Sequence, residues 1–275
     1  MQTWINGHLL DDPTAPVVDA TDHGLTVGDG VFEAIKVVDG KPFALTRHLD
    51  RLARSAKGLG LPAPDDARLR AGVHAVLGAE HHDLGRIRIT YTGGPSPLGS
   101  NRGDAEPTMV VVADAMGEWP ETTTVATVPW PRNERGALAG LKTTSYAENV
   151  VALARAADQG ATEAIFANLA GNLCEGTGSN VMYVVDGELR TPSLGGGCLA
   201  GVTRALVLEW YGGVEVDEPI EAIERASEAF LVSTTRDVQG ISAWDGRALP
   251  APGPVTAEVR SLWQSREPEF LGEDS

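Results

Sequence analysis

Gly140-Leu141-Lys142-Thr143-Thr144-Ser145-Tyr146-Ala147-Glu148-Asn149 places a lysine just ahead of a helix start. Lysine is scarce in this chain: Lys36, Lys41, Lys57 and Lys142 are the only four, and nearly all other positive charge is arginine. Lys41 follows Asp39-Gly40 and Lys57 sits among polar helix positions, so both read as solvated. Lys142 differs, being flanked by Ala137-Leu138-Ala139-Gly140-Leu141 and by small hydroxyl residues. That context suits a partly desolvated amine, which gives up its proton more readily and is competent for Schiff-base chemistry. An ordinary loop lysine carries the same local signature, so the rest of the chain has to decide.

At 275 residues the chain has room for one large domain or two of ordinary size. Its 42% hydrophobic and 22% charged content are those of a soluble globular protein. A formal net charge of −16 argues against nucleic acid or an anionic membrane as a partner. No apolar run approaches the roughly 20 residues that span a bilayer. Met1-Gln2-Thr3-Trp4-Ile5-Asn6-Gly7 lacks a basic region followed by an apolar one, so no signal peptide is expected. Cys174 and Cys198 have no metal-ligand spacing; they read as free thiols of a cytoplasmic protein, and no metal site is expected.

Moving along the chain, Trp4-Ile5 enters an Asn6-Gly7 turn, and Thr26-Val27-Gly28-Asp29-Gly30 is a corner leading into Val31-Phe32-Glu33-Ala34-Ile35-Lys36-Val37-Val38. That run reads as a strand buried on both faces and closed by a hairpin at Asp39-Gly40. Glu33 and Lys36 inside such a strand need partners or a cavity, which makes Lys36 the one competitor of Lys142 for a functional amine. Thr46 is expected to cap a helix through Leu49, Leu52, Ala53, Ala56 and Leu59 that also carries His48 and Arg51 and ends at Gly58, Gly60 and Pro62. A second helix is expected over Asp65 to Leu77, and strands at Arg86–Thr92 and Thr108–Ala113 enclose a flexible loop, Gly93–Gly103. The stretch 116–120 reads as a linker, dividing the chain into residues 1–115 and a larger domain, 121–275, that carries Lys142.

In that second part, Ser145 and Glu148 have the spacing of a capping box. A hairpin is expected at Asp186-Gly187, and Ala229–Thr235 reads as a strand ending in Ser233-Thr234-Thr235. Gly195-Gly196-Gly197-Cys198-Leu199-Ala200-Gly201-Val202-Thr203-Arg204 opens a helix, and a glycine-rich turn at a helix start offers free N–H groups to a phosphate. No Gly-x-Gly-x-x-Gly or Walker-type pattern accompanies it. The sequence thus supplies an amine, an anion site, strand-end hydroxyls and a lone carboxylate, Glu175, in a loop of small residues. Pyridoxal phosphate asks for these four things, the carboxylate to keep its ring nitrogen protonated while the ring withdraws electrons.

At this point the chain is identified as a member of the class IV aminotransferases, the fold-type IV pyridoxal-phosphate enzymes. Leu141-Lys142 with Tyr146-Ala147-Glu148-Asn149, then Cys174-Glu175-Gly176-x-x-Ser179-Asn180-Val181, then Gly201-Val202-Thr203-Arg204 resemble that family's motifs in order and spacing. Gly28-Asp29-Gly30-Val31-Phe32-Glu33 and His48-Leu49-Asp50-Arg51-Leu52 match it as well, so the resemblance runs from about residue 4 to about residue 250. It implies a mixed α/β (α+β) fold with a small N-terminal and a larger C-terminal domain, the cofactor between them, and a homodimer. It also implies that Lys142 forms the Schiff base and shuttles the proton, and that Glu175 pairs with the ring nitrogen. Arg51, the backbone of Val202 and Thr203, and the hydroxyls of Ser233 and Thr234 would hold the phosphate. Tyr146 would meet the cofactor's 3-hydroxyl, with Ser179 and Asn180 completing the cofactor site.

Three branches of the family compete for the reaction. Val31–Val37 followed by Asp39-Gly40 looks most like the D-amino-acid aminotransferases, which carry a lysine at the place of Lys36; Phe32 would line the substrate. Their carboxylate-binding basic residues would fall near Leu98 and Ser100, neither of which is basic, so Arg102 or Arg236 is the expected substitute. Aminodeoxychorismate lyases share Ile5-Asn6-Gly7 and the glycine corner but eliminate pyruvate. Branched-chain aminotransferases share Glu175-Gly176 but have arginine where Lys36 stands. The favoured expectation is a transaminase acting on amino acids and 2-oxo acids with D-amino-acid-like or relaxed specificity. A catalytically vestigial, cofactor-binding domain is the non-enzyme alternative, and it needs neither Lys142 nor Glu175.

Overall fold

Three dipeptides that tolerate positive φ mark the expected hairpins, and the computed structural model, which describes residues 1–272, turns at each of them. Asn6-Gly7 has φ of 48° and 109°, Asp39-Gly40 48° and 69°, and Asp186-Gly187 53° and 81°. By contacts the chain separates into two units. The first comprises Met1–Glu118 with Leu141–Tyr146 and the tail from Glu269. In chain order it holds β1 (Gln2–Ile5), β2 (His8–Leu9), α1 (His23–Thr26), β3 (Gly30–Val38), β4 (Lys41–Pro42), α2 (Leu45–Leu59), α3 (Asp66–Ala79), β5 (Leu84–Thr92) and β6 (Thr108–Ala115).

Its six strands run in the order β2-β1-β6-β5-β3-β4, each antiparallel to its neighbour. Side chains alternate across the sheet, so Val31, Ile35, Val37, Ile87 and Ile89 share a core with Leu49 and Leu52 of α2 and Leu69 and Val73 of α3. The other face of β3 carries Phe32, Ala34 and Lys36, in register with Thr90, Arg88 and Arg86 of β5. Asp65 caps α3, its carboxylate accepting from the Arg68 N–H at 3.1 Å.

Thr46 does not cap α2. The helix starts at Leu45, and Ala44 stands before it in the left-handed region (φ 48°) without a side-chain cap. The returning tail holds this end instead: the Ala44 N–H donates to the Phe270 carbonyl at 2.8 Å, and Phe43 bridges Leu271. Gly60 (φ 74°) closes the helix as expected.

The lysine segment also departs from a single division at residues 116–120. Val31 bridges Thr143, the Phe32 N–H donates to the Lys142 carbonyl at 3.0 Å, and the Thr144 N–H donates to the Gly30 carbonyl at 2.8 Å. Leu141–Tyr146 therefore groups with the N-terminal sheet, because the start of β3 offers it backbone partners.

The second unit comprises Trp119–Gly140 and Ala147–Pro268. It holds β7 (Thr122–Thr127), α4 (Ala147–Ala157), β8 (Glu163–Ala167), β9 (Leu173–Gly176), β10 (Asn180–Val185), β11 (Glu188–Pro192), α5 (Val202–Trp210), β12 (Val214–Val216), β13 (Glu228–Ser233), β14 (Asp237–Trp244), β15 (Arg247–Ala248) and α6 (Pro254–Arg266). Eight strands run β12-β11-β10-β13-β14-β7-β8-β9, with β15 hydrogen-bonded to β14. The pairs β11/β12, β14/β7 and β7/β8 are parallel. One core gathers Ile165, Val181, Tyr183, Leu231, Ile241 and Trp244. The capping box does not form: the Ser145 hydroxyl donates to the Gly28 carbonyl (3.0 Å) and Glu148 accepts from Arg132 (2.9 Å). Each side chain finds a stronger or nearer partner than the helix end.

Candidate active site

Lys142 is half-buried and its backbone is fixed on both sides. Its N–H donates to Ser55 Oγ at 3.2 Å, and its carbonyl takes the Phe32 N–H. The hydroxyls of Thr144 and Ser145 both donate to the Gly28 carbonyl at 3.0 Å, so the Gly28-Asp29-Gly30 corner staples the segment down. The side chain then runs over aromatic surface, with Nζ 4.4 Å from the centroid of the Phe32 ring and 5.9 Å from that of Tyr146. These two rings meet edge to face at 5.2 Å. Phe32 and Tyr146 therefore both lie beside the lysine. Lys36 is buried on the same face of β3 as Phe32.

Arg88, which the sequence reading passed over, also comes to Phe32, its guanidinium carbon 3.9 Å from the ring centroid. The only polar contact it makes among the described residues is from Nε to the Thr90 hydroxyl at 3.3 Å, and no carboxylate pairs with it. Arg88 and Lys142 thus both contact the Phe32 ring.

Arg51 has two donors committed to Glu33, from Nε to Oε1 at 2.8 Å and from Nη2 to Oε2 at 2.6 Å. His48 Nδ1 lies 2.8 Å from Glu33 Oε2, and all three side chains are buried. The spacing of His48 and Arg51 on one helix face, opposite a glutamate in an apolar strand, was the available signal for this network. Burial alone would push the Glu33 carboxyl up, but the Arg51 charge and its hydrogen bonds, with those of His48, outweigh it and hold it at about 2, against an ordinary 4.5. Burial pushes the His48 imidazole below its ordinary 6.5; the Glu33 contact opposes this without cancelling it, and the charges of Arg51 and Lys142 add to the lowering.

Both depressed groups stabilise the folded chain above their ordinary values and lose that contribution as pH falls through the depressed ones. For His48 the loss begins below pH 6.5, and for Glu33 it runs from about 4.5 down to about 2. Glu33 alone accounts for about 3 kcal/mol of this. Glu33→Gln is therefore expected to destabilise the protein at pH 7 and to flatten its acid sensitivity between pH 4.5 and 2. Urea midpoints measured across that range check it, and an unchanged acid slope would contradict it.

In the second unit, Glu175 Oε2 accepts from the Leu199 N–H at 2.9 Å and Oε1 from Arg132 Nε at 3.1 Å. Asn180 Nδ2 donates to the Leu199 carbonyl at 2.9 Å, so the N–H and the carbonyl of Leu199 are both held. Glycine at 201 leaves room for Asn180, whose Oδ1 a Cβ there would displace. Immediately after it α5 begins with no side-chain cap, leaving the first-turn N–H groups of Val202 and Thr203 for an incoming anion. Thr203 Oγ1 is buried without a hydrogen-bond partner among the described residues, an orphan donor at that same helix start. Within this unit an uncapped helix start with an orphaned hydroxyl has the chemistry to hold a phosphate, and Glu175 that to accept from a protonated ring nitrogen; in the other unit Lys142 offers the amine that an aldehyde would need.

Other expected residues serve the scaffold. Ser179 donates to Glu163 Oε1 (3.1 Å), alongside the Thr177 hydroxyl and the Gly178 N–H. Arg236 donates to Glu163 Oε2 (2.6 Å) and Gln239 Oε1 (2.7 Å) and stacks on Trp119, so it is an internal strut. Arg102 grips Asp29 through two donors at 2.6 Å and also reaches the Leu59 and Gly60 carbonyls. Leu98 is 82% exposed. Neither arginine is thus placed as an idle substitute for the missing carboxylate binder. Ser233 Oγ accepts from the Arg236 N–H at 3.3 Å, and Thr234 is buried next to it at the end of β13. Cys174 and Cys198 are free and buried; burial raises both thiols, Cys198 to about 12, so neither is a reactive thiolate.

The family model described as amino-transferase class IV matches residues 30–244. The bifunctional aminodeoxychorismate lyase / D-amino acid transaminase of Mycobacterium tuberculosis is 31% identical, over 91% of this chain and 93% of its own. Among solved structures, the fold IV-transaminase of Curtobacterium pusillum is 34% identical with a TM-score of 0.83, covering 94% of this chain and 91% of its own. The branched-chain aminotransferase from Thermoproteus uzoniensis, determined with norvaline, is 28% identical with a TM-score of 0.89, covering 98% of both chains. The chain therefore belongs to the class IV aminotransferases and is a pyridoxal-phosphate-dependent enzyme of fold type IV.

Proposed function

We propose that this enzyme transfers the amino group of D-amino acids, or of a relaxed set that includes them, to a 2-oxo acid. The observation that carries the reading is Arg88 and Lys142 on one phenylalanine ring, the arginine without a carboxylate partner among the described residues. A guanidinium so placed suits the α-carboxylate of an amino acid whose Cα has to lie within reach of the lysine. Lys36, buried on the same sheet face, favours the D-amino-acid branch, and the Mycobacterium tuberculosis relative is named for that activity.

Bound pyridoxal phosphate supplies an electron sink for charge developing at Cα. Lys142 would hold it through Nζ, and the same nitrogen would move the proton at Cα. Glu175 would accept from the ring nitrogen and Tyr146 would hold the 3-hydroxyl. Arg51, the Val202 and Thr203 N–H groups, and the hydroxyls of Thr203, Ser233 and Thr234 would hold the phosphate. The rings of Phe32 and Tyr146 flank Nζ.

A half-reaction tests the substrate. The yellow holoenzyme is mixed in turn with D-alanine, L-leucine and aminodeoxychorismate while its long-wavelength absorption is followed. Loss of absorption with D-alanine supports the reading; loss with L-leucine alone moves the assignment to the branched-chain enzymes. Release of pyruvate from aminodeoxychorismate alone would make the enzyme a lyase.

We infer further that the enzyme is a cytoplasmic homodimer. Val150 and Val151 of α4 are 65% and 54% exposed, and Trp130, Leu138, Leu153 and Leu169 in the same unit are exposed as well, apolar side chains of the kind a second copy would cover. Sedimentation at twice 28.9 kDa is expected, and a monomer at micromolar concentration would overturn this.

A further inference from the structure

Glu175 is held by more than its own backbone. Arg132, in the irregular segment ahead of Lys142, donates from Nε to Glu175 Oε1 at 3.1 Å and from Nη1 to Glu148 Oε2 at 2.9 Å. Its guanidinium lies 3.8 Å from the centroid of the fully buried Phe166 ring. Its backbone is fixed too: the Arg132 N–H donates to the Ala167 carbonyl at 2.8 Å, and the residue bridges Asn168. The arginine side chain is 14% exposed and that of Glu175 13%, so the pair is largely withdrawn from water.

An ion pair at this depth loses hydration on both partners, and replacing it by apolar groups is often neutral or stabilising. Four independent restraints on one arginine therefore call for a purpose other than stability. We infer that Arg132 is a positioning residue for the cofactor: it locks the Glu175 carboxylate in one orientation. The inference rests on the reading that Glu175 pairs with the ring nitrogen.

The charges support this assignment. Glu148, Arg132 and Glu175 together carry one net negative charge, so the arginine offsets one carboxylate and leaves the other to balance a protonated ring. Without Arg132, Glu175 would lose the guanidinium donor at Oε1 and the positive charge that stands between it and Glu148. Leu199 adds a second link. Its N–H takes Glu175 Oε2 while its carbonyl is held by Asn180, two residues ahead of the glycine that opens α5. The orientation of Glu175 is thereby tied to the turn carrying Val202 and Thr203.

The test compares the wild type, Arg132→Met, Arg132→Lys, Glu175→Gln and the Arg132→Met/Glu175→Gln double variant. Methionine keeps an apolar stem over Phe166 but no charge; lysine keeps the charge without the fork that reaches two carboxylates, and guards against misfolding of the methionine variant. Each holoenzyme is dialysed against decreasing pyridoxal phosphate for its affinity, and the absorption of the bound cofactor is followed against pH. Arg132→Met is expected to weaken cofactor affinity by about tenfold or more and to shift the pH profile, with Arg132→Lys intermediate. In the Glu175→Gln background the same change is expected to add little, because it acts through Glu175.

Additive effects in the double variant, or a lowered Tm with unchanged affinity and pH profile, would make Arg132 a structural strut and overturn the inference alone. Unchanged affinity and absorption in Glu175→Gln would instead overturn the reading of Glu175, and the inference with it.

Discussion

Lys142→Ala is expected to lower kcat by about 10⁴-fold or more and to abolish the long-wavelength absorption of the holoenzyme. Removing the covalent group of a catalytic set costs this order of magnitude in other enzymes, because one nitrogen performs several steps. The fold should survive the change. The hydrogen bonds that seat the segment come from the backbone of residue 142 and from Thr144 and Ser145, and alanine keeps all of them. The variant should therefore unfold within a few degrees of the wild type while losing turnover. Lys36→Ala is the control that separates the two candidate amines: it should retain the absorption. Turnover surviving in Lys142→Ala would return the chain to a role in which the cofactor, if bound, is not held by this residue.

Arg88→Met is expected to raise KM for the amino acid by about 10- to 100-fold. That is the range for losing a charge-assisted, two-point hydrogen bond to a carboxylate. Cofactor affinity and thermal stability should change little, because Arg88 is exposed, makes no ion pair among the described residues, and lends β5 only its backbone and a stem over Phe32. Arg88→Lys should fall between the two, since an ammonium keeps the charge but not the fork. Steady-state kinetics with D-alanine over a range of concentrations resolve the effect. An unchanged KM would remove Arg88 from substrate binding, and the same experiment on Arg102 and Arg236 would show whether either abandons its present carboxylate to serve.

What could be read in the sequence was whatever local chemistry dictates. Asn6-Gly7, Asp39-Gly40 and Asp186-Gly187 turn where they should because paired positive φ values suit few other residues. The lysine, the lone carboxylate and the glycine turn before Val202 were legible because their residue types are unusual in their settings. What escaped depends on partners far along the chain. Thr46 had the chemistry of a cap, yet that helix end is held by Phe270, more than two hundred residues later. Ser145 and Glu148 had capping-box spacing, but Gly28 and Arg132 claimed them. Arg132 and Glu175 are 43 positions apart and no periodicity links them. Arg88 alternates with core residues on β5, which says which face it takes but not that Phe32 and Lys142 share it. The network of Glu33, His48 and Arg51 was half visible, since a glutamate in an apolar strand announces that it needs a cation.

The measurement that bears most directly on the central claim is the identity of the amine that carries the cofactor. Borohydride reduction of the holoenzyme fixes pyridoxal phosphate to that amine, and peptide mass mapping then locates it. With four lysines in the chain the result is unambiguous. A single modification on the peptide containing Lys142 is the predicted outcome. Modification at Lys36, the other buried lysine on the face of Phe32, would contradict the account and require the site to be rebuilt around the early strand.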